Sequence, residues 1–234
     1  MPVNLAGVCT VLLPGTGSDD DYVYRAFSGA LHEVGAVVTA SAPRPDGLIA
    51  GYLDDLDNAA REAPIAVGGV SLGAAVAASW ALANPTRAVA VLAALPAWTG
   101  SPETAAAAHA ARYSAHALRR DGLVAATATM RASSPAWLAD ELTRSWVGQW
   151  PALPDALEEA SHYVAPTCRQ LESLTAPMGV VSAVDDPVHP LEVALEWVAA
   201  APSAALRTVT LSDIGADPGA LGAACLAALV DASG

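Results

Sequence analysis

The sequence predicts an α/β protein: a mostly parallel sheet of about six strands with helices on both faces, interrupted by a helical cap insertion. Three observations predict it. Short apolar runs alternate with stretches of helical periodicity along most of the 234 residues. The runs are continuously apolar, as in strands buried on both faces, rather than alternating apolar and polar. Between residues 99 and 176 the alternation lapses, and only helical periodicity remains until the strands resume.

In order, residues 8–13 (VCTVLL) form a buried strand that runs into Pro-Gly-Thr-Gly-Ser, a tight loop. A helix follows from about Tyr22 to Val34, with Val23, Phe27, Ala30, Leu31 and Val34 on one face, and Gly35 stops it. Residues 36–40 are a second strand and 47–62 a helix with Leu48, Tyr52, Leu53 and Leu56 inward. Residues 65–70 (IAVGGV) are a third strand, Gly73 to Asn84 a helix of small residues, and 89–95 a fourth strand. After the insertion come a strand at 178–184, a helix at 190–200, a last strand at 206–211 and a last helix at 218–231. The core is therefore expected at 1–98 and 177–234, with the cap at 99–176.

Composition removes whole classes of chemistry. The chain has no lysine, eleven arginines and a net charge of −13. Schiff-base, phosphate-loop and general-base lysines are excluded. An acidic chain without a basic stripe is a poor partner for nucleic acid or anionic membranes. A small-molecule substrate is the expected partner, and a homodimer is the oligomeric expectation. The 55 alanines and the arginine-only bias fit a GC-rich genome. The longest apolar stretches, such as Ala88 to Trp98, are too short to span a bilayer. The N-terminal residues lack signal-peptide features, which points to the cytoplasm. Cys9, Cys168 and Cys225 are odd in number and lack metal-ligand spacing; the expectation is buried, reduced thiols.

The chemistry-bearing motif is Gly69-Val70-Ser71-Leu72-Gly73, a G-x-S-x-G sequence between a buried strand and a helix of small residues. So sharp a turn needs glycines on both sides, and it lifts the serine hydroxyl above the sheet edge. The helix behind supplies free N–H groups and partial positive charge. Ser71 is thus a candidate nucleophile.

With these residues the chain resembles the α/β-hydrolase superfamily over nearly its whole length. Leu13-Pro14-Gly15-Thr16-Gly17 looks like that family's oxyanion loop, which implies the backbone N–H groups of Thr16 and Leu72 as oxyanion donors. Asp185-Asp186-Pro187-Val188-His189-Pro190 looks like the acid loop, which implies Asp186 as the triad acid with Asp185 second. The resemblance implies a serine hydrolase of esterase or thioesterase type without a cofactor or metal. It also implies that the family's leading antiparallel hairpin is missing, leaving about six strands.

One position departs from the family. Its histidine normally follows the last strand beside a glycine, and here Gly215-Ala216 stands there, with no histidine beyond His189. Three readings follow: a histidine replaced at 216, His189 in the pocket as the base, or a protein that has lost hydrolysis and acts as a ligand-binding protein, cyclase or isomerase.

The remaining candidates each have a plain alternative. Gly15, Ser18, Trp98 and Trp137 are candidate substrate contacts; Trp98, Trp137, Trp146 and Trp150 are otherwise packing residues of the core or cap. His109, Tyr113 and His116 share one helix face, read as half-buried. His162 beside Tyr163 has similar standing, and His32 reads as structural. Asp19-Asp20-Asp21 reads as an acidic helix start rather than a metal site, with Ser18 and Tyr22 flanking it near the oxyanion loop.

Overall fold

The computed structural model describes residues 3–234. Six strands, β1 (Cys9–Leu13), β2 (Val37–Ala40), β3 (Ile65–Val70), β4 (Ala88–Ala94), β5 (Met178–Ala183) and β6 (Ala204–Val209), form one sheet in the order β2-β1-β3-β4-β5-β6. Every pairing is parallel, so all six carboxyl ends share one edge. The order reverses beside β1, the kind of place where open parallel sheets keep their ligand chemistry.

The period of two along each strand divides the interior into two cores. Val11, Leu13 and Val67 pack with α2 (Leu48–Ala59), α3 (Leu72–Ala83) and α8 (Leu191–Ala200). Leu12, Ala66, Leu92 and Val181 pack on the other face with α1 (Asp20–Glu33) and α10 (Gly219–Ser233). Helices cover both faces because the inner strands β1, β3, β4 and β5 are buried almost throughout.

Between β4 and β5 lie α4 (Ala106–Ala132), α5 (Ala136–Gln149), α6 (Leu153–Ser161) and α7 (Cys168–Leu171). α4 is kinked where Gly122 leaves helical geometry at φ 78°. These helices have a small core of their own, built from Leu118, Met130, Trp146, Leu153 and Leu157. Polar contacts fasten them to the carboxyl edge of the sheet. The Glu159 carboxylate accepts from the N–H groups of Leu48 and Ile49 at 2.9 and 3.1 Å, where the start of α2 has free donors. Arg144 donates both arms of its guanidinium to Asp19, and Arg25 donates to Glu141 at 2.7 Å.

Some expectations are corrected. The last strand ends at Val209, not at residue 211, and a short helix, α9 (Leu211–Ala216), follows it. Thr210 caps that helix: its hydroxyl accepts from Asp213 N–H, and the Asp213 carboxylate accepts from Thr210 N–H at 2.8 Å. This reciprocal capping box ends the strand although Leu211 continues the apolar run. The thiols also differ: Cys225 is buried, Cys9 half-buried and Cys168 exposed, all free. Among the described residues no helix is long and apolar enough to cross a membrane, and no group of His, Cys, Asp and Glu is arranged to hold a metal.

Candidate active site

Strand β3 delivers Ser71 at φ 55°, a conformation rare for a residue with a side chain and costly by about 1–3 kcal/mol. The sequence permits the turn because of its two glycines. A Cβ on Gly69 would stand 2.3 Å from the Leu13 carbonyl oxygen, and one on Gly73 would stand 2.1 Å from it. Both glycines therefore let the end of β1 press against the turn. Ser71 N–H donates to Ala94 O at 2.8 Å, fixing the turn to the next strand. Leu72 then opens α3, where the first N–H groups have no partner within the helix.

The segment after β5 approaches Ser71 from the other side. Asp186 is anchored by its own turn: its Oδ1 accepts from Val188 N–H at 2.8 Å and from His189 N–H at 3.4 Å. Its Oδ2 lies 2.7 Å from His189 Nδ1, and His189 Nε2 lies 3.0 Å from Ser71 Oγ. The three side chains thus form one continuous chain of hydrogen bonds. The carboxylate accepts Nδ1–H, which leaves Nε2 free to accept the serine proton. Burial pushes the Asp186 carboxyl up, but the His189 hydrogen bond and charge, with the two backbone donors, outweigh it and hold the group below the usual carboxylate range. Asp185 does not share this contact. It is exposed, and its Oδ1 accepts from Leu211 N–H at 2.7 Å, tying the turn to the start of α9.

The loop after β1 closes the third side. A Cβ on Gly15 would stand 3.5 Å from Ser71 Cβ, so Gly15 lies against the turn that carries Ser71. Ser18 N–H donates to Gly15 O at 3.0 Å, with Thr16 and Gly17 at the corners and Gly17 at φ 72°. Thr16 is half-buried at this turn. Ser18 offers its carbonyl to Gln149 Nε2 at 2.9 Å, which joins the loop to α5. Asp19 is the N-cap of α1, accepting from Tyr22 N–H at 3.0 Å, and Tyr22 is buried.

The tryptophans divide. Trp98 is a joint in the core: it is 5% exposed, and its indole N–H donates to Tyr163 O. Trp137, on α5, lies so close to Gly215 that a Cβ there would stand 2.3 Å from its Cδ1. Trp146, nine residues on, faces Gly17 in the same way, with Nε1 2.9 Å from where a Cβ would be. Helix α5 therefore stretches from α9 to the loop after β1. Sequence reasoning treated Trp146 as packing, and no local signal reveals its contact with Gly17.

Other candidates lie elsewhere. Ala216 is exposed at the end of α9. His109, Tyr113 and His116 are exposed, not half-buried, and His109 Nε2 is 2.6 Å from Glu103 O. His162 is exposed beside Glu158 O, while Tyr163 donates its hydroxyl to Ser79. His32 sits on the surface edge-on to Tyr24.

Comparison with known proteins agrees with this architecture. MenH from S. aureus has a TM-score of 0.71 at 14% identity, over 100% of this chain and 98% of that one. The enol-lactonase from Burkholderia xenovorans LB400 has 0.67 at 18% identity, over 88% and 83%. A thermophilic esterase from Thermogutta terrifontis has 0.67 at 17%, over 98% and 92%. At such identities the likeness is one of fold. No curated protein matches the sequence. The sequence model of the serine aminopeptidase S33 family matches residues 49–213, well over half of the chain. The chain therefore belongs to the serine aminopeptidase S33 family, with an α/β-hydrolase fold.

Proposed function

We propose that this protein is a serine hydrolase that cleaves an ester, thioester or lactone of an apolar small molecule through an acyl-enzyme on Ser71. The carrying observation is the unbroken chain from Ser71 Oγ through His189 to Asp186, at 3.0 and 2.7 Å. In this reading His189 Nε2 takes the hydroxyl proton as Oγ attacks the carbonyl carbon. Asp186 holds the ring in the right tautomer and stabilises the imidazolium. The N–H groups of Thr16 and Leu72 receive the negative charge on the carbonyl oxygen, a contribution of about 10²- to 10³-fold per donor. His189 then returns the proton to the departing alcohol or thiol. Water repeats the sequence on the acyl-enzyme, with His189 again the base.

Residues 99–176 act as the cap, with α5 as its beam. Gly15 lies against Ser71 without a side chain, which leaves room beside the nucleophile for a substrate that is mainly apolar. Ester and lactone substrates agree with the esterase and enol-lactonase among the structural neighbours.

The test is hydrolysis of p-nitrophenyl butanoate, a thioester, a γ-lactone and an amino-acid p-nitroanilide by the parent chain and by Ser71→Ala. The expected result is ester or lactone turnover that Ser71→Ala abolishes. Turnover that survives the substitution contradicts the serine mechanism. Turnover confined to the anilide contradicts the substrate class.

A further inference from the structure

The strand between Ser71 and His189 ends in a strained residue that the triad does not use. Among the described residues other than glycine, only Ser71 and Leu95 have a positive φ, 55° and 50°. A bulky side chain disfavours this conformation, and the following Pro96 favours an extended residue instead. Leu95 is 6% exposed, so its surroundings impose the conformation. Strain of this kind persists where the structure over-determines it, and it gathers at functional sites.

The backbone of Leu95 is held from both sides. Strand β4 lies between β3, which delivers Ser71, and β5, which leads into the turn of Asp186 and His189. The peptide joining Ala94 to Leu95 is a rung between them. Its oxygen accepts from Ser71 N–H at 2.8 Å, and its N–H donates to Val181 O at 2.8 Å. Adjacent strands lie about 4.8 Å apart, so β3 and β5 are about 10 Å apart. The Ser71 and His189 side chains close that distance with their 3.0 Å hydrogen bond. The bond therefore crosses over the end of β4.

The packing shows where the strained turn sends the chain. Along β4 the side chains alternate: Leu92 and Ala94 pack on the face of α1 and α10, Val91 and Ala93 on the face of α2, α3 and α8. Continued extension would put Leu95 on the face of Ala93 and carry Pro96 straight on past the sheet edge, into the gap between Ser71 and His189. Instead Leu95 packs on the same face as Ala94, and Ala97 and Trp98 pack on the opposite one. The chain swings off the line of the strand at this residue.

We infer that Leu95 is a positioning residue: its left-handed turn ends β4 beneath the Ser71–His189 hydrogen bond and keeps the chain out of the gap that the bond crosses. The inference rests on the serine hydrolase reading and adds to it a backbone conformation on which the alignment of Ser71 and His189 depends.

Three substitutions separate this role from core packing: Leu95→Gly, Leu95→Ala and Leu95→Val. Packing alone favours the largest replacement and ranks them Val, Ala, Gly. A left-handed turn ranks them in the reverse order, since glycine adopts it freely and a β-branched residue least of all. kcat and KM for p-nitrophenyl butanoate are measured below the melting temperature of each variant. The expected kcat order is Gly, Ala, Val, with Leu95→Val about 10²-fold below the parent, the effect of misplacing a reacting group by about 1 Å. The loss should lie in kcat, with KM little changed. If Leu95→Gly does not fold, Leu95→Ala above Leu95→Val carries the same test. Leu95→Val equal to or above Leu95→Ala, or a loss that lies in KM, overturns the inference.

A second readout needs no turnover. The His189 imidazole ¹⁵Nε2 resonance, identified by its loss in His189→Ala, is recorded with and without Ser71→Ala. That substitution should move the resonance in the parent and move it less in Leu95→Val. Equal movement in the two, or none in the parent, overturns the inference. If the serine mechanism itself is wrong, Ser71→Ala still turns over ester, and the resonance comparison stands apart from that failure.

Discussion

The segments after β5 and β6 leave the same edge of the sheet from neighbouring strands, yet they meet Ser71 differently. The first, residues 184–190, is a turn built around Asp186, which accepts three hydrogen bonds from residues no more than three positions away. Fixing that turn fixes His189, whose Nε2 then lies on Ser71 Oγ. The second segment folds at once into α9 under the Thr210 cap and leaves Ala216 in solvent. The resemblance to α/β-hydrolases assigns the imidazole to this second segment. In the proposed mechanism the position of the ring matters, not which loop carries it. Here acid and imidazole share one turn, so their mutual geometry is local and needs no docking of a second loop.

The largest expected break in this comparison is His189→Ala. It removes the only imidazole on Ser71 and should lower kcat/KM for p-nitrophenyl butanoate about 10⁴-fold, the upper end for a general base. Asp186→Asn comes next, because the ring stays beside Ser71 but loses the carboxylate that orients it; a loss of about 10²-fold in the same assay is expected. The same pair gives a pH dependence. The Asp186 carboxyl is held below its ordinary range, so its contribution to stability is complete above the unfolded value near 4 and disappears as pH falls through the lower folded value. Thermal melts of Asp186→Asn should therefore lose part of the parent's decline over that acid window. The smallest effect belongs to the second segment. Thr210→Ala removes the α9 cap and should cost about 1 kcal/mol in urea unfolding while leaving esterase turnover unchanged. A large loss of turnover there would give α9 a part in the site.

The contrast also shows what the amino-acid sequence made legible. The strands were readable because their runs are mainly apolar, and the turn at Ser71 because only glycines at 69 and 73 leave room for the Leu13 carbonyl. Asp186 and His189 could be named because both stand in the segment that resembles the family's acid loop. Their meeting with Ser71 was not readable, since it depends on where β3 and β5 end in the sheet. The Thr210–Asp213 box was present in the sequence, but the apolar Leu211 favoured a longer strand. Trp146 was illegible for a different reason: its partner, Gly17, lies far away in the chain, and a tryptophan on a helix of the insertion reads as packing. The exposure of Cys168 follows from α7, a single turn at the end of the insertion that buries Leu171 instead.

The central claim is that the imidazole at 189 serves Ser71 and that position 216 cannot. The most direct measurement compares p-nitrophenyl butanoate hydrolysis by His189→Ala with that by the double variant His189→Ala/Ala216→His. The account predicts that both remain about 10⁴-fold below the parent chain, because residue 216 faces solvent at the end of α9. Near-parental turnover in His189→Ala, or recovery when histidine is placed at 216, would contradict it.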